Sequence, residues 1–300
     1  MELRQLRSFV KAAETSNFSL AAKELFVTQS TFSQSIKKLE EELNVQLFYR
    51  NSHDVTLTDA GEELLIYARN TICQADNCVN RMNDIMNLKQ GTLKIGVTHS
   101  FSLVTSETIL KFIKKYPGIT LKIYNKTMNE LMDMLVKREV DFVLSYKPCK
   151  QYPQIESHAL FEDKLSVIVK EDHPFAKLDK IGLDALMKCP LVLPSKGLQA
   201  RNILDRLLTR KEIELVIKIE MNEVTPLLIL VANSSYVTIL SATSIENYNN
   251  LRAIPLDESE CMMEGSFHIL KDSYHKKSTQ EFINLLSETT TIKKQFNSWF

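Results

Sequence analysis

Two short helical patterns follow each other almost without a break between Ser19 and Leu43, and this arrangement strongly constrains the fold. In the second pattern Phe32, Ile36 and Leu39 recur at helical spacing and define an inner face. The outer face begins with small hydrogen-bonding side chains and continues with lysines. A helix of this kind can lie in the major groove of DNA, where its N-terminal residues reach base edges. The pattern therefore indicates a helix-turn-helix.

Residues that can cap helices mark the ends of these elements. Ser19 is expected to cap the first of the two helices, and Ser30 or Thr31 the second. The buried side of the first helix is expected to hold Leu20, Ala22 and either Leu25 or Phe26. The short extended pieces after the second helix, Leu47-Phe48 and Val55 to Leu57, predict a small two-stranded wing.

Contacts with DNA are expected from the start of the second helix and from basic residues beyond it. Glutamine can pair with adenine, and hydroxyl groups can serve bases or phosphates. Lysine and arginine contact phosphates, which position a protein without specifying a sequence. The alternative is a solvated polar face with a surface charge cluster. The predicted DNA-contacting residues are Thr28, Gln29, Ser30, Thr31, Ser33, Gln34, Lys37, Lys38, Arg50 and His53.

The charge balance limits how tightly one copy can bind DNA. The chain has 37 basic and 37 acidic residues, for a formal net charge of zero. Only the local footprint has to neutralise phosphates, so this balance does not exclude DNA binding. It does predict that a single copy binds weakly and that a second copy is needed.

A long helical stretch that starts at Thr58-Asp59 can supply the second copy. Its apolar stripe has a period of about 3.5 residues and consists of Leu64, Leu65, Ala68, Ile72, Ala75, Val79, Met82 and Met86. A helix of roughly thirty residues with a polar outer face is typical of a coiled-coil pairing element. The alternative is an ordinary core helix. We favour pairing, because a new domain begins directly afterwards.

From Thr92 onward, predicted strands alternate with helices of ten to fourteen residues, which indicates βαβ units and a mainly parallel sheet. Capping boxes at Thr127 and Ser278 are expected to open two of these helices. A proline-containing stretch after residue 146 divides the region into two α/β lobes with a cleft between them. The predicted domains are 1–58, 59–90 and 91–300, with lobe I at about 91–146 and 266–300 and lobe II at about 147–265.

Ligands of parallel sheets bind at the carboxyl ends of strands, beside helix N-termini. The residues at such positions could offer hydroxyls, amides or charge to a small anion, or they could simply cap helices. His99 could be a pH-sensitive contact or a polar wall of the cleft. The candidates are Thr98, His99, Ser100, Phe101, Lys126, Thr127, Ser145, Ser195, Lys196 and Glu223.

The chain resembles LysR-type transcriptional regulators along essentially its whole length. The resemblance is carried by Leu3 to Phe9, Ser19 to Leu43, Leu47 to Arg50, Leu57 to Gly61, Tyr116 to Ile119, Asp172 to Ala176, and Leu230 to Ala232 before Val237 to Leu240. It implies a multidomain α+β and α/β protein with a winged helix-turn-helix, a dimerising linker helix and a two-lobed domain like type 2 periplasmic binding proteins. Ser30 departs from the proline that is common in the family, Gln34 from arginine, and His53 and Asp54 from a basic wing.

The resemblance implies a sequence-specific, DNA-binding regulator of transcription whose activity is modulated by a small effector in the interlobe cleft. Its partners are then double-stranded DNA, the effector, a second copy in a homodimer, a homotetramer built from dimers, and RNA polymerase. No metal and no cofactor besides the effector is expected. The absence of an apolar run of about 18 residues argues against a membrane partner and favours the cytoplasm.

Two other functions are weighed against this interpretation. An enzyme in the lobes is disfavoured, because no phosphate-cradling, nucleophile-elbow or metal-spaced motif occurs and the chain has seven glycines. A redox-responsive regulator of the same fold would use Cys149 or Cys189. The chain has five cysteines at wide spacings, which is typical of buried apolar residues rather than of a disulfide framework.

Overall fold

The computed structural model describes residues 1–50, 55–85, 90–148, 150–258, 260–271, 273–289 and 292, with the side chains of residues 50 and 83 excepted. The chain divides into two compact units, residues 1–86 and 87–300, and each is described by itself. The predicted domain and lobe boundaries remain predictions. Within the described ranges, no helix is long and apolar enough to cross a membrane.

Unit 1 consists of α1 (Leu3–Thr15), α2 (Phe18–Glu24), α3 (Gln29–Leu43), β1 (Phe48–Arg50), β2 (Val55–Leu57) and α4 (Asp59–Ile85). The strands β1 and β2 pair antiparallel, with Phe48 opposite Leu57, and form the predicted wing. Phe9, Phe32, Ile36 and Leu39 are at most 1% exposed in the shared core of the helices. Because the apolar side chains of α3 face this core, its polar side chains lie on the outer face.

The caps of α2 and α3 differ from the predicted ones. Asn17, not Ser19, caps α2, because its extended backbone lets the Asn17 side chain accept a 3.0 Å hydrogen bond from the Leu20 amide. Thr28 caps α3 in the same way and accepts a 3.2 Å bond from the Thr31 amide. Both predicted caps of α3 therefore lie inside its first turn.

The prediction of which residues lie on the buried side of α2 was also partly wrong. Leu20 is 46% exposed, and Ala21 and Ala22 are the residues of α2 that the core buries. Phe26 is 95% exposed, because the turn between α2 and α3 holds its backbone at a positive φ of 55° and directs the ring outward. Leu25, the other alternative, packs against the core.

The start of α4 confirms the predicted helix, and its two halves have different surroundings. The Thr58 hydroxyl accepts a 3.1 Å bond from the Gly61 amide. A Cβ atom on Gly61 would lie 2.3 Å from the Leu47 carbonyl oxygen, so only glycine allows this approach of helix and wing. Leu64, Leu65, Ala68 and Ile72 join the core of unit 1, whereas Val79, Met82 and Ile85 are 57–73% exposed.

Unit 2 begins with β3 (Gly91–Val97), α5 (Ser102–Lys115), β4 (Ile119–Asn125), α6 (Met128–Val136), β5 (Phe142–Tyr146) and β6 (Ile155–Lys170). It continues with β7 (Leu191–Pro194), α7 (Gln199–Lys211), β8 (Ile217–Met221), α8 (Val224–Ala232), β9 (Thr238–Ser241), β10 (Leu251–Pro255), β11 (Met262–Leu270) and α9 (Lys277–Ser287). Short 3-10 turns lie between several of these elements.

The strands of unit 2 form two lobes that share two long strands. The strand order is β10-β6-β11-β5-β3-β4, with β9 also paired to β6, and β7 pairs with β8. The pairs β3–β4, β3–β5 and β7–β8 are parallel, but β5, β6, β9, β10 and β11 pair antiparallel along the middle. The prediction of a mainly parallel sheet was wrong, because β6 and β11 run between the lobes in opposite directions.

We use lobe I for β3, α5, β4, α6, β5, α9 and the parts of β6 and β11 that pair with them. Lobe II comprises β7, α7, β8, α8, β9, β10 and residues 165–170 of β6. The capping box at Thr127 and Glu130 is present at the start of α6. The one predicted at Ser278 is wrong: α9 begins at Lys277, and the core buries Ser278 within its first turn.

Candidate DNA-contacting surface and effector cleft

The start of α3 presents a compact group of hydroxyls on the surface of unit 1. The Thr28 Oγ1 lies 3.0 Å from the Ser30 Oγ and 2.9 Å from the Thr31 Oγ1, and all three residues are exposed. Gln29 and Gln34 are exposed beside them. The hydroxyls are ordered by the cap of the helix, and they retain lone pairs for a further partner.

Of the predicted basic contacts, the two lysines of α3 have described side chains, whereas the two residues of the wing do not. Lys37 and Lys38 are exposed, and the Lys37 Nζ lies 3.6 Å from a Glu41 carboxylate oxygen in a solvent-exposed pair of the kind that stabilises little. Ser33 is half-buried. Arg50 ends β1, but its side chain, like all of His53, lies outside the described residues.

Glu40 supports this surface and was missed from sequence. Its side chain is buried, and its Oε1 accepts hydrogen bonds from the Leu47 amide at 2.9 Å and the Phe48 amide at 3.4 Å. These bonds fix the chain that leaves α3 for the wing. In the sequence, Glu40 is the first of three consecutive acidic residues and resembles part of a solvated charge run. Its position four residues after Ile36, on the inner side of the helix, is the feature that could have predicted its burial.

A narrow, largely enclosed cleft with a volume of about 30 Å³ lies between the lobes of unit 2. The ends of β3, β5 and β7 and the starts of α6, α7 and α8 form its walls, which is where parallel strands place ligands. Its lining residues are Thr98, His99, Ser100, Thr127, Met128, Tyr146, Pro194, Gly197, Leu198, Gln199, Ala200, Val224 and Leu240.

Four of the sequence candidates line this cleft, namely Thr98, His99, Ser100 and Thr127. Two others are buried in lobe I instead. Phe101 is fully buried, with its ring centroid 5.5 Å from Tyr146 and 5.3 Å from Phe161. Ser145 is also fully buried and its Oγ lies 3.0 Å from the His268 Nε2, on the opposite side of β5 from Tyr146. Both are corrections to the candidate set.

The charged candidates lie away from the lining. The Lys126 Nζ is 3.6 Å from the Glu130 carboxylate on the surface, and Lys196 lines a separate shallow depression with Arg201 and Asp205. Glu223 precedes α8 as its exposed N-cap residue, and Ser195 is half-buried just before Lys196. The side chains that line the described cleft therefore carry no formal charge while His99 is neutral.

The helices that point into the cleft differ in how their first amides are satisfied. Thr127 closes the start of α6, since its hydroxyl and its amide bond the Glu130 Oε2 at 2.6 and 2.9 Å, which lowers the pKa of Glu130. The N-cap residues of α7 and α8, Leu198 and Glu223, make no side-chain cap bond. The amides at these two helix starts are therefore available to a ligand.

Gln199 and Tyr146 are cleft residues that sequence reasoning missed. The Gln199 Nε2 donates a 3.4 Å bond to the Lys147 carbonyl oxygen across the cleft, while its buried Oε1 has no partner among the described residues. Tyr146 ends β5, one residue after the candidate Ser145, because successive side chains of a strand point to opposite faces. Gly197, whose φ of 95° suits glycine, was the signal for the loop that places Gln199.

His99 is half-buried and spans the lobes. Burial lowers its pKa, and nearby Glu223 opposes that shift, so neutral His99 is the favoured form at neutral pH. Its Nε2 lies 3.5 Å from the Thr225 Oγ1 of α8. His99 thus belongs to lobe I but touches lobe II at the edge of the cleft.

Cys189 and Cys261 do not favour thiolate chemistry. Burial raises the pKa of Cys261 to about 11 and raises the pKa of Cys189 as well. Reactive cysteines have lowered pKa values, so neither thiol fits a redox switch. Cys149, the other candidate, lies outside the described residues. Within the described ranges, no group of three or more His, Cys, Asp or Glu side chains could hold a metal.

Two family models match consecutive parts of the chain. Residues 3–62 match the bacterial regulatory helix-turn-helix protein of the lysR family, and residues 87–291 match the LysR substrate binding domain. The activator CmpR of Synechocystis sp. is 25% identical over 96% of this chain and 92% of its own length. The regulator SoxR of Arthrobacter sp. is 32% identical over 67% of this chain and 66% of its own length.

Solved structures of similar proteins share the whole fold. A full-length OxyR variant from Pseudomonas aeruginosa has a TM-score of 0.73 at 22% identity and covers 98% of this chain and 95% of its own. CbnR complexed with its target DNA has a TM-score of 0.61 at 21% identity and covers 96% and 99%. Together with the family models, these matches show that the chain belongs to the LysR family, DNA-binding transcriptional regulators with a C-terminal effector-binding domain.

Proposed function

We propose that the outward face of α3 reads the target DNA through Gln29, Ser30, Thr31, Ser33 and Gln34, with Lys37, Lys38, Arg50 and His53 on phosphates. The observation that carries this proposal is the ordered group of exposed hydroxyls and amides at the helix start, beside Thr28. The hydroxyls and glutamines can both donate and accept, which suits base edges.

Selection of bound duplexes from random DNA by the purified full-length protein tests this proposal. Gln34→Ala should change the selected bases at one position of each half-site. Gln46→Ala replaces an exposed glutamine beyond α3 and is the matched control. Identical selected sequences for all three proteins would contradict the proposal.

We infer that the effector binds in the interlobe cleft and is a small molecule with hydrogen-bond acceptors and an apolar part. The support is the lining itself: uncharged hydroxyls of Thr98, Ser100 and Thr127, free amides at the starts of α7 and α8, and apolar Met128, Leu198 and Leu240. Partial positive charge at helix starts can hold an acidic group without a lysine.

Calorimetric titration of the full-length protein with a panel of small carboxylates and their neutral amides tests the site. Ser100→Ala should weaken binding of any member that binds by about five- to tenfold, the loss of one hydrogen bond. Ser195→Ala, a neighbouring serine outside the lining, should leave it unchanged. Equal affinities of both variants and the wild type would place the ligand elsewhere.

We propose that α4 pairs two copies into a homodimer and that dimers pair into a tetramer. Val79, Met82 and Ile85 leave a large apolar surface exposed on the second half of the helix. Apolar surface of this kind marks interaction sites. Met82→Lys should shift the full-length protein toward monomer in analytical ultracentrifugation, whereas Gln74→Lys, at an exposed polar position of the same helix, should not.

We further propose where the protein acts, a further partner and the absence of catalysis. A regulator of this kind acts in the cytoplasm, with RNA polymerase as its further partner, and it converts no substrate. The relatives are transcriptional regulators, which supports the last point. Unchanged composition of the small-molecule panel after incubation with the protein, checked by mass spectrometry, is the expected result, and any product would contradict it.

A further inference from the structure

A buried carboxylate lies where the chain passes from one lobe to the other. Asp163 is 6% exposed and lies near the end of the β6 segment that pairs with β11, two residues before the segment that pairs with β9 and β10. Asp163 is opposite Met263 of β11, and two residues later Leu165 is already opposite Ser241 of β9. A charged side chain is rarely buried without partners.

Both lobes donate hydrogen bonds to this one carboxylate. The Tyr146 hydroxyl at the end of β5, in lobe I, donates to the Asp163 Oδ2 at 2.7 Å. The Thr243 hydroxyl, in the 3-10 turn Ala242–Ile245 of lobe II, donates to the same oxygen at 2.6 Å. The Lys164 amide donates to Oδ1 at 2.7 Å and fixes the carboxylate itself.

The lobe II side of this arrangement is itself ordered. The Ser241 Oγ lies 3.3 Å from the Thr243 Oγ1 and 2.7 Å from the Ser244 Oγ. These hydroxyls hold the turn that carries Thr243. The lobe I side reaches the interlobe cleft, since Tyr146 is one of the residues that line it.

The backbone that crosses between the lobes is irregular at this level. The pairing of β6 with β11 shifts register between Gly265 and Ser266, which is a β-bulge. Gly265 leaves room for the Phe161 ring, whose nearest atom would lie 2.5 Å from a Cβ at that position. A bulge bends a strand and interrupts its ladder, so the crossing strands alone define the angle between the lobes poorly.

We propose that Asp163 is a positioning residue that holds the two lobes at one relative angle by accepting from Tyr146 and Thr243 together. Any rotation that separates β5 from the 242–245 turn breaks one of two hydrogen bonds to a charged acceptor. The width of the effector cleft then depends on this carboxylate. The inference deepens the proposed effector function and rests on it for its consequence.

The test compares full-length wild type with Asp163→Asn, Tyr146→Phe and Thr243→Val. Thr238→Val is the matched control, because it removes a buried hydroxyl of β9 that has no partner among the described residues. Paired fluorophores on non-natural amino acids at the exposed positions Lys122 of lobe I and Lys188 of lobe II report the interlobe distance by single-molecule energy transfer. Hydrogen exchange is followed at the Glu246 and Tyr248 amides, which donate to carbonyl oxygens of the 242–245 turn.

The wild type and Thr238→Val should show one interlobe distance. Asp163→Asn, Tyr146→Phe and Thr243→Val should broaden it or add a second one, with turn amides that exchange about ten- to a hundredfold faster and β3 and β4 amides that do not change. The effect of the Tyr146→Phe/Thr243→Val double variant should be only slightly larger than the larger single effect, because both hydrogen bonds go to the same carboxylate and hold the same two segments together.

The proposal is overturned if the Tyr146→Phe/Thr243→Val double variant, which removes both donors, keeps the wild-type distance and exchange. If that variant fails to fold, Thr243→Val decides: behaviour identical to that of Thr238→Val overturns the proposal equally. Neither measurement requires a ligand. A negative result here therefore does not contradict the proposed effector cleft. Likewise, a negative result in the ligand titrations does not contradict the proposed role of Asp163.

Discussion

The outward face of α3 and the interlobe cleft are built in opposite ways. The α3 surface comes from one helix, whose period alone separates buried Phe32 and Ile36 from exposed Gln29 and Gln34. The cleft brings together residues from the ends of three strands and the starts of three helices, from Thr98 to Leu240. Local periodicity is therefore enough to locate the exposed polar face of α3, whereas the cleft lining depends on which face of each strand turns inward.

Truncating the inner face of α3 should give the largest effect and should stay in unit 1. Ile36→Ala leaves a cavity among fully buried side chains and should cost about 2–5 kcal/mol of unfolding free energy. Hydrogen exchange should accelerate in α1 and α3 and stay unchanged in β3 to β5. Acceleration in both units would show that the regions are not energetically separate.

Removing the buried carboxylate behind the wing should give the next largest effect. Glu40→Ala leaves the Leu47 and Phe48 amides without their acceptor and should cost about 1–3 kcal/mol. Urea unfolding of unit 1, followed by circular dichroism, measures the loss. Glu41→Ala, an exposed neighbour, is the control and should change stability by less than about 0.5 kcal/mol. Equal effects would contradict the structural role of Glu40.

Acid should weaken lobe I through His268. Burial lowers the pKa of His268 to about 4, so the folded state holds the neutral ring between Ser145 and Ser157. Since the unfolded chain binds the proton at higher pH, this contribution is fully present above about pH 6.5 and is lost as pH falls toward 4. Between pH 7 and 5 the loss should be about 2 kcal/mol.

Chemical unfolding at both pH values measures that loss. His268→Asn should have a smaller pH dependence than the wild type by that amount, because the other histidines are retained in both proteins. An unchanged pH dependence would show that His268 titrates normally.

Changing Lys38, a proposed phosphate contact, should give the smallest effect. Lys38→Ala should leave folding within about 0.5 kcal/mol, weaken DNA binding evenly across sequences and reduce the slope of log affinity against log salt by about one per copy. Fluorescence anisotropy at several salt concentrations measures both quantities. A change in base preference would instead assign Lys38 to a base edge.

The same contrast explains what sequence could predict. The helices, most strands, the wing and the inner face of α3 follow from periodicity and capping, and the family follows from ordered motifs. The pairing of β6 with β11 could not be predicted, because antiparallel pairing of distant segments leaves no local pattern in the sequence. Ser145 was misplaced and Tyr146 was missed because successive side chains of a strand point to opposite faces. Phe101 was misplaced because it lies in a 3-10 turn whose last ring packs into the core of lobe I.

Asn17 and Thr28 teach a narrower lesson. Each lies two or three residues before a residue predicted to cap, and each can accept from the helix amides as well as serine can. Sequence therefore located both helix starts to within a turn but not the hydroxyl or amide that closes them.

The most direct test of the central claim is the base preference of Gln34→Ala beside that of Gln46→Ala, selected from random duplexes with the full-length protein. We predict that Gln34→Ala loses preference at one base pair in each half-site, with about five- to 150-fold weaker binding to the wild-type sequence, and that Gln46→Ala selects the wild-type sequence at wild-type affinity. The same selected sequence and affinity for both variants would contradict a reading surface on α3.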